Sequence, residues 1–364
     1  MTKPKALYIH IPFCNYICDY CDFCKLQYFY SDVSPYLNAL KHELESYKIG
    51  ELDTIYIGGG TPTSLSNKEL ETLLKIVEPY SYSVKEYTVE ANPDSLSLDK
   101  LKLLKQYGVN RLSIGVESTH DDILSSINRH HTFNDVKKAV KEAREIGFNN
   151  INLDLILGLP DVSLDMIKED INSLIKLEVE HISCYSLTVN EHTSFAIRGV
   201  KEPEQDTLRE FYDEASKILE NKGYVHYEVS NYAKKGNYSF HNLTYWKNER
   251  YYGIGLGASG YIDNVRYVNT RSISKYLKGK YRLEEEIVTP KDDMNYQIML
   301  SLRTCFGLDL ELFKNKFKVN LYEKKKSEID EYISNGFLFI ENNYLKPTYN
   351  GMMILDSILV NLFL

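Results

Sequence analysis

Cys14, Cys18 and Cys21 stand at the spacing CxxxCxxC, close behind a strand-like run. Three thiolates can hold three irons of a 4Fe-4S cube, leaving the fourth iron open to a small chelating molecule. S-adenosylmethionine (SAM) can fill that position with its amino and carboxylate groups. An electron from the cluster can then break a sulfonium carbon–sulfur bond to give a 5'-deoxyadenosyl radical. Cys24 keeps a second chemistry open, because four thiolates could close a tetrahedral zinc site.

Further residues could serve such a cofactor. Gly58, Gly59 and Gly60, followed by Thr61, let the backbone approach a ligand closely and offer carbonyls to an ammonium group. The run lacks the GxxxxGK[ST] and GxGxxG patterns of phosphate and dinucleotide loops. Glu90, Glu117 and Asp154 can accept hydrogen bonds from ribose hydroxyls and balance sulfonium and amino charges, while Arg129 suits a carboxylate. Tyr20, between two of the cysteines, can pack near an adenine. Tyr8 and His10 alternate onto one strand face and are expected to point toward the cluster.

Periodicity places these residues on one scaffold. Strand-like runs at 6–11, 54–59, 86–91, 111–116, 150–157 and 181–187 alternate with amphipathic stretches such as 67–77, 134–146 and 163–177. Six strands separated by helices imply a parallel sheet. Because nearly every strand ends in a chemically suggestive residue, a βα partial barrel with one shared mouth is expected over 1–225. From 226 to 290 the chain reads as Tyr- and Gly-rich loops and strands. Residues 291–364 read as helix, two short strands joined by Glu341-Asn342-Asn343, and a closing helix, a winged-helix-like α+β module.

With 43% hydrophobic residues, 364 residues suffice for a large domain and a smaller companion. The net charge of -8 argues against binding nucleic acid through phosphate neutralisation. Neither a secretory h-region nor a bilayer-spanning apolar run is legible, so the cytoplasm is expected. Four of six cysteines fall within residues 14–24, a pattern of metal ligation rather than of disulfides.

The segments YIHIPFCNYICDYCDF, GGGTPT, VEANP, NRLSIGVES, NLDLILGLP and YEVSNYA resemble radical SAM proteins related to oxygen-independent coproporphyrinogen III oxidase, and in particular the HemW family of heme chaperones. The resemblance runs from about Tyr8 to the C-terminus. It implies a partial (βα)6 TIM-like radical SAM barrel, with Cys14, Cys18 and Cys21 as 4Fe-4S ligands. Tyr20, Gly59, Gly60, Thr61, Glu90, Glu117, Arg129 and Asp154 fall on SAM-contacting positions, and Tyr8 is grouped with them.

Two features favour HemW over the oxidase. Only seven residues precede Tyr8, where the oxidase carries a long extension, and CysAspPhe follows the HemW pattern, leaving Cys24 one position too late for the oxidase's fourth cysteine. HisAsnLeuThrTyrTrp at 241–246 matches the HNxxYW signature linked to heme in HemW, which makes His241 the axial-ligand candidate. Two positions depart from the family. Glu117 stands where Gln is usual, and Gly255-Leu-Gly-Ala-Ser-Gly260 lacks a family histidine near Ser259. The implied partners are heme, a heme-acceptor protein such as a membrane-associated respiratory protein, and an electron donor such as flavodoxin or ferredoxin. The competing readings are a radical enzyme acting on a porphyrinogen or another substrate, and a four-cysteine zinc protein.

Overall fold

A computed structural model describes residues 3–364. Six strands, β1 (Ala6–Ile11), β2 (Thr54–Gly59), β3 (Glu86–Ala91), β4 (Arg111–Glu117), β5 (Ile151–Leu157) and β6 (His181–Ser186), lie side by side in chain order, every pair parallel. Their apolar residues are buried almost without interruption, the signature of a sheet covered on both faces. The covering helices include α1 (Tyr30–Ser46), α2 (Asn67–Val77), α3 (Leu98–Gln106), α4 (Phe133–Ile146), α5 (Leu164–Ile175) and α6 (Gln205–Asn221).

Local chemistry sets where these helices begin. Ser66 and Glu69 form a reciprocal capping box at the start of α2, and Thr132 and Asp135 do the same for α4, while Ser97 and Ser163 cap α3 and α5. Fixed helix starts fix the length of each strand-to-helix loop, and those loops rim the mouth.

The sheet is wider than the six strands legible in sequence. Beyond β6 runs an antiparallel hairpin, β7 (Tyr224–Glu228) and β8 (Asn231–Lys234), and on the free edge of β1 lies β9 (Tyr252–Ile254), giving the order β9-β1-β2-β3-β4-β5-β6-β8-β7. The strands of the region read as loops and strands after about residue 225 thus extend the main sheet at both of its edges. These strands are three to five residues long and rich in polar and aromatic side chains, too short to show a period of two.

Between β8 and β9, the short helix α7 (Phe240–Trp246) plugs the barrel at the N-terminal ends of its strands. Both carboxylate oxygens of Glu86 accept hydrogen bonds from its first turn, at 2.7 Å from Phe240 N and 3.0 Å from His241 N. Three strands, β10 (Ser259–Ile262), β11 (Val265–Asn269) and β12 (Arg282–Ile287), form a separate antiparallel sheet.

From α8 (Pro290–Ser301) onward a second apolar core forms around Ile298, Phe313, Ile329, Leu345 and Ile358. It gathers β13 (Leu308–Asp309), α9 (Leu310–Phe317), α10 (Lys326–Ser334), the hairpin β14 (Leu338–Glu341) and β15 (Tyr344–Pro347), and a closing helix, α11 (Leu355–Leu362). The hairpin turns on Asn342 and Asn343 alone, both at positive φ, while Glu341 pairs with Tyr344 inside the ladder. This is the α+β winged-helix-like order expected from sequence. Among the described residues, no helix is long and apolar enough to cross a membrane.

Candidate cluster and cofactor site

The register of β1 on β2 pairs Ile11 with Gly59, so the cysteine loop and the glycine run leave the sheet at the same level. Gly60 N donates to Ile11 O at 2.8 Å and Thr61 N to Phe13 O at 2.9 Å, which zips the two segments together. The glycines are needed where they stand. A Cβ on Gly60 would lie 2.7 Å from the backbone of Pro12, and one on Gly58 would lie 2.5 Å from the Glu90 carboxyl carbon.

A cavity of about 530 Å³ opens at this mouth. Cys14, Cys18, Cys21, Tyr20, Gly59, Gly60, Thr61, Glu90, Glu117, Arg129 and Asp154 all line it. Six separate segments thus converge on one space, in the arrangement that strand ends of a βα barrel provide. Thr61 Oγ1 reaches Cys14 Sγ at 3.7 Å and Arg129 Nη1 reaches Cys18 Sγ at 3.8 Å. Burial pushes the Cys14 thiol up to about 12. Among the described residues no three His, Cys, Asp or Glu side chains close on a single ion.

Cys24 turns away from the other three. Its side chain lies against Gly257, bonds Arg271, and lines a different cavity of about 440 Å³. Tyr8 and His10 line that same second cavity and not the first. The Tyr8 hydroxyl meets His10 Nδ1 at 3.0 Å and His10 Nε2 lies 2.6 Å from Cys24 O. The shared strand face was legible, but it points to the side of the cluster loop rather than to the cavity.

The carboxylates occupy distinct settings. Glu90 accepts from Tyr56 Oη at 2.8 Å and from Gly59 N at 2.9 Å, and burial raises it to about 7. Asp154 accepts from Asn152 Nδ2 at 2.8 Å and Ser113 Oγ at 3.2 Å, and it too is raised by burial. Glu117 sits at φ 67°, in the left-handed region that disfavours a side chain, at a bulge where β4 loses register with β5. That kink aims its carboxylate at Arg129, Oε1 to Nη2 2.7 Å. Burial disfavours the Arg129 cation, and the Glu117 carboxylate beside it favours it.

Arg129 Nε is buried without a partner, a donor left over for a ligand in the cavity. That orphan, the crowded glycines and the three thiols fit a cluster with SAM on its open iron. When bound, that pair supplies reductive cleavage of a carbon–sulfur bond. The residues present contribute the thiolates, close backbone approach and charges of both signs.

Sequence reasoning passed over Ser113, Ile156 and Tyr185, which also line the cavity. Strand phase could have found the first two, since Ser113 stands two residues before Gly115, and Ile156 two after Asp154, on the same faces. His241 is elsewhere. Fully buried inside the plug helix, it places Nδ1 2.8 Å from Thr54 Oγ1 and Nε2 2.7 Å from Tyr245 Oη, so both ring nitrogens are engaged, and it lines neither of these two cavities.

The family model of the radical SAM superfamily matches residues 8–174, and that of the HemN C-terminal domain matches 288–354. A heme chaperone HemW of Lactococcus lactis subsp. lactis (strain IL1403) is 39% identical over 98% of this chain and 97% of its own. The HemW of Bacillus subtilis (strain 168) is 40% identical over 96% and 97%, and that of Escherichia coli (strain K12) 34% over 98% and 97%. Among solved structures, coproporphyrinogen III oxidase (HemN) from Escherichia coli superposes with a TM-score of 0.87 over 99% of this chain and 90% of its own, at 21% identity, a likeness of fold. The chain belongs to the HemW family of the radical SAM superfamily, whose members are built around a 4Fe-4S cluster and SAM.

Proposed function

We propose that this protein is a heme chaperone: it binds heme, carries a SAM-binding 4Fe-4S cluster, and passes the heme to an acceptor protein. The observation that carries the reading is end-to-end similarity to several relatives named heme chaperones, with no large segment left over on either side. Cys14, Cys18 and Cys21 hold the cluster. Tyr20, Gly59, Gly60, Thr61, Glu90, Glu117, Arg129 and Asp154 hold SAM, a reading supported by their shared cavity. Residues 1–225 serve as the cofactor barrel, 226–290 as the family-specific segment, and 291–364 as the winged-helix-like module. The acceptor is a membrane-associated respiratory protein, flavodoxin or ferredoxin supplies the electron, and the protein works in the cytoplasm.

Hemin titration of anaerobically reconstituted protein tests the reading. A saturable Soret band supports it, and its absence refutes it. Substrate-dependent formation of 5'-deoxyadenosine with a porphyrinogen would instead favour the oxidase chemistry.

A further inference from the structure

A cavity of about 1220 Å³, more than twice the volume of the one at the barrel mouth, lies at the opposite end of the barrel. One wall is the plug helix α7 with the residues entering β1 and β2, and the other is the C-terminal module at β13, α9 and β15. It takes no part in the cluster and SAM site. Its walls are apolar and aromatic, with Trp246 on α7 facing Phe306 and Leu312, of which the last two remain 38% and 63% exposed. Lys3, Lys5, Lys247, Arg250, Lys316 and Lys346 line its rim with Asp53, Glu249 and Asp309. Lys5 pairs with Asp53, Arg250 and Lys316 with Asp293, and Lys346 with Glu341, which leaves the exposed Lys3 and Lys247 outside these ion pairs to meet an anionic ligand. The half-buried, free thiol of Cys305 also opens onto the cleft.

An aromatic and apolar patch, exposed lysines at the rim and one soft donor are the complement of an iron tetrapyrrole carrying two carboxylates. We infer that this cleft is the cargo site, with the macrocycle against Trp246 and Phe306, the carboxylates toward the lysines of the rim, and Cys305 as axial ligand, its proton released to solvent. The inference rests on the heme-chaperone reading and gives it a place. It also explains the signature at 241–246 without exposing His241. The histidine locks α7 into the barrel floor, and the helix thereby presents Trp246 and Lys247 to the cleft.

The test titrates hemin into reconstituted full-length protein and into two variants, Cys305→Ser and the exposed pair Lys3→Glu with Lys247→Glu. Cys305→Ser is expected to shift the Soret maximum and the ferric heme EPR signal. The lysine pair is expected to bind hemin about tenfold more weakly. Both should keep the parent's response of the cluster to SAM. Hemin binding by both variants with the parent's spectrum and affinity, or displacement of hemin by SAM, overturns the cleft while leaving the chaperone reading intact. A parent that takes up no hemin removes both.

Discussion

Arg129 has two claims on its guanidinium, the Glu117 carboxylate it already touches and the ligand that its unpartnered Nε awaits. Because the pair is buried, removing the cation alone strands a carboxylate in an apolar setting. Arg129→Met is expected to lower unfolding stability by about 3 kcal/mol, and adding Glu117→Gln to return most of that loss. Chemical denaturation of the two variants checks it; equal stability of single and double variants would contradict the coupling. At the cysteines, Cys18→Ser should abolish iron binding on reconstitution. Cys24→Ser should leave iron and sulfide content unchanged, since Cys24 faces Gly257 and Arg271. Residues of reactive type at strand ends were legible in sequence because type and position both point at the mouth. Tyr185 was not, being chemically unremarkable among 30 tyrosines, and His10 misled because its alternation fixes a face but not what lies opposite it.

The tightest joint between elements is the contact of the glycine run with the cysteine loop. A Cβ at Gly60 meets backbone, which cannot swing aside as a side chain can. Gly60→Ala is therefore expected to push the cluster loop outward, destabilising the apoprotein by about 1–3 kcal/mol and lowering cluster retention during gel filtration. Full retention with unchanged stability would show that the joint yields. The six barrel strands were readable because they are six or seven residues long, largely buried and apolar, and separated by helices of which most carry explicit caps. The edge strands β7, β8 and β9 were not, since their pairing is decided by the strands they dock on rather than by any period of their own. The plug helix is only seven residues long, and although Ser239 caps it locally, the acceptor for its Phe240 and His241 N–H groups is Glu86, more than 150 residues earlier in the chain.

Across the whole molecule, the barrel and the C-terminal module share a boundary at β7, where Glu228 forms a bridge to Thr304. Glu228 is nearly inaccessible and accepts from Ser230 N and the Asn231 amide, yet burial raises it to about 7 from an ordinary 4.5. Its folded value lies above its unfolded one, so the stability tied to its proton is complete below about 4.5 and lost as pH rises through about 7. Thermal melting should therefore fall between pH 5.5 and 8, with about 2 kcal/mol from Glu228 and a similar share from Glu90, and Glu228→Gln should remove about half of that slope. An unchanged slope in the variant would place the pH dependence elsewhere. The C-terminal module was legible as an order of elements, but the cleft it makes with the barrel floor was not, because no local pattern encodes how two cores meet.

The proposed cluster at the barrel mouth is a four-iron cube on three cysteines, with one open iron that receives SAM. EPR of the anaerobically reconstituted, reduced protein with and without SAM tests it most directly. A 4Fe-4S signal that changes on adding SAM is the expected result, and it should be absent in Cys14→Ser. A signal indifferent to SAM, or stoichiometric zinc with no iron, would contradict the claim.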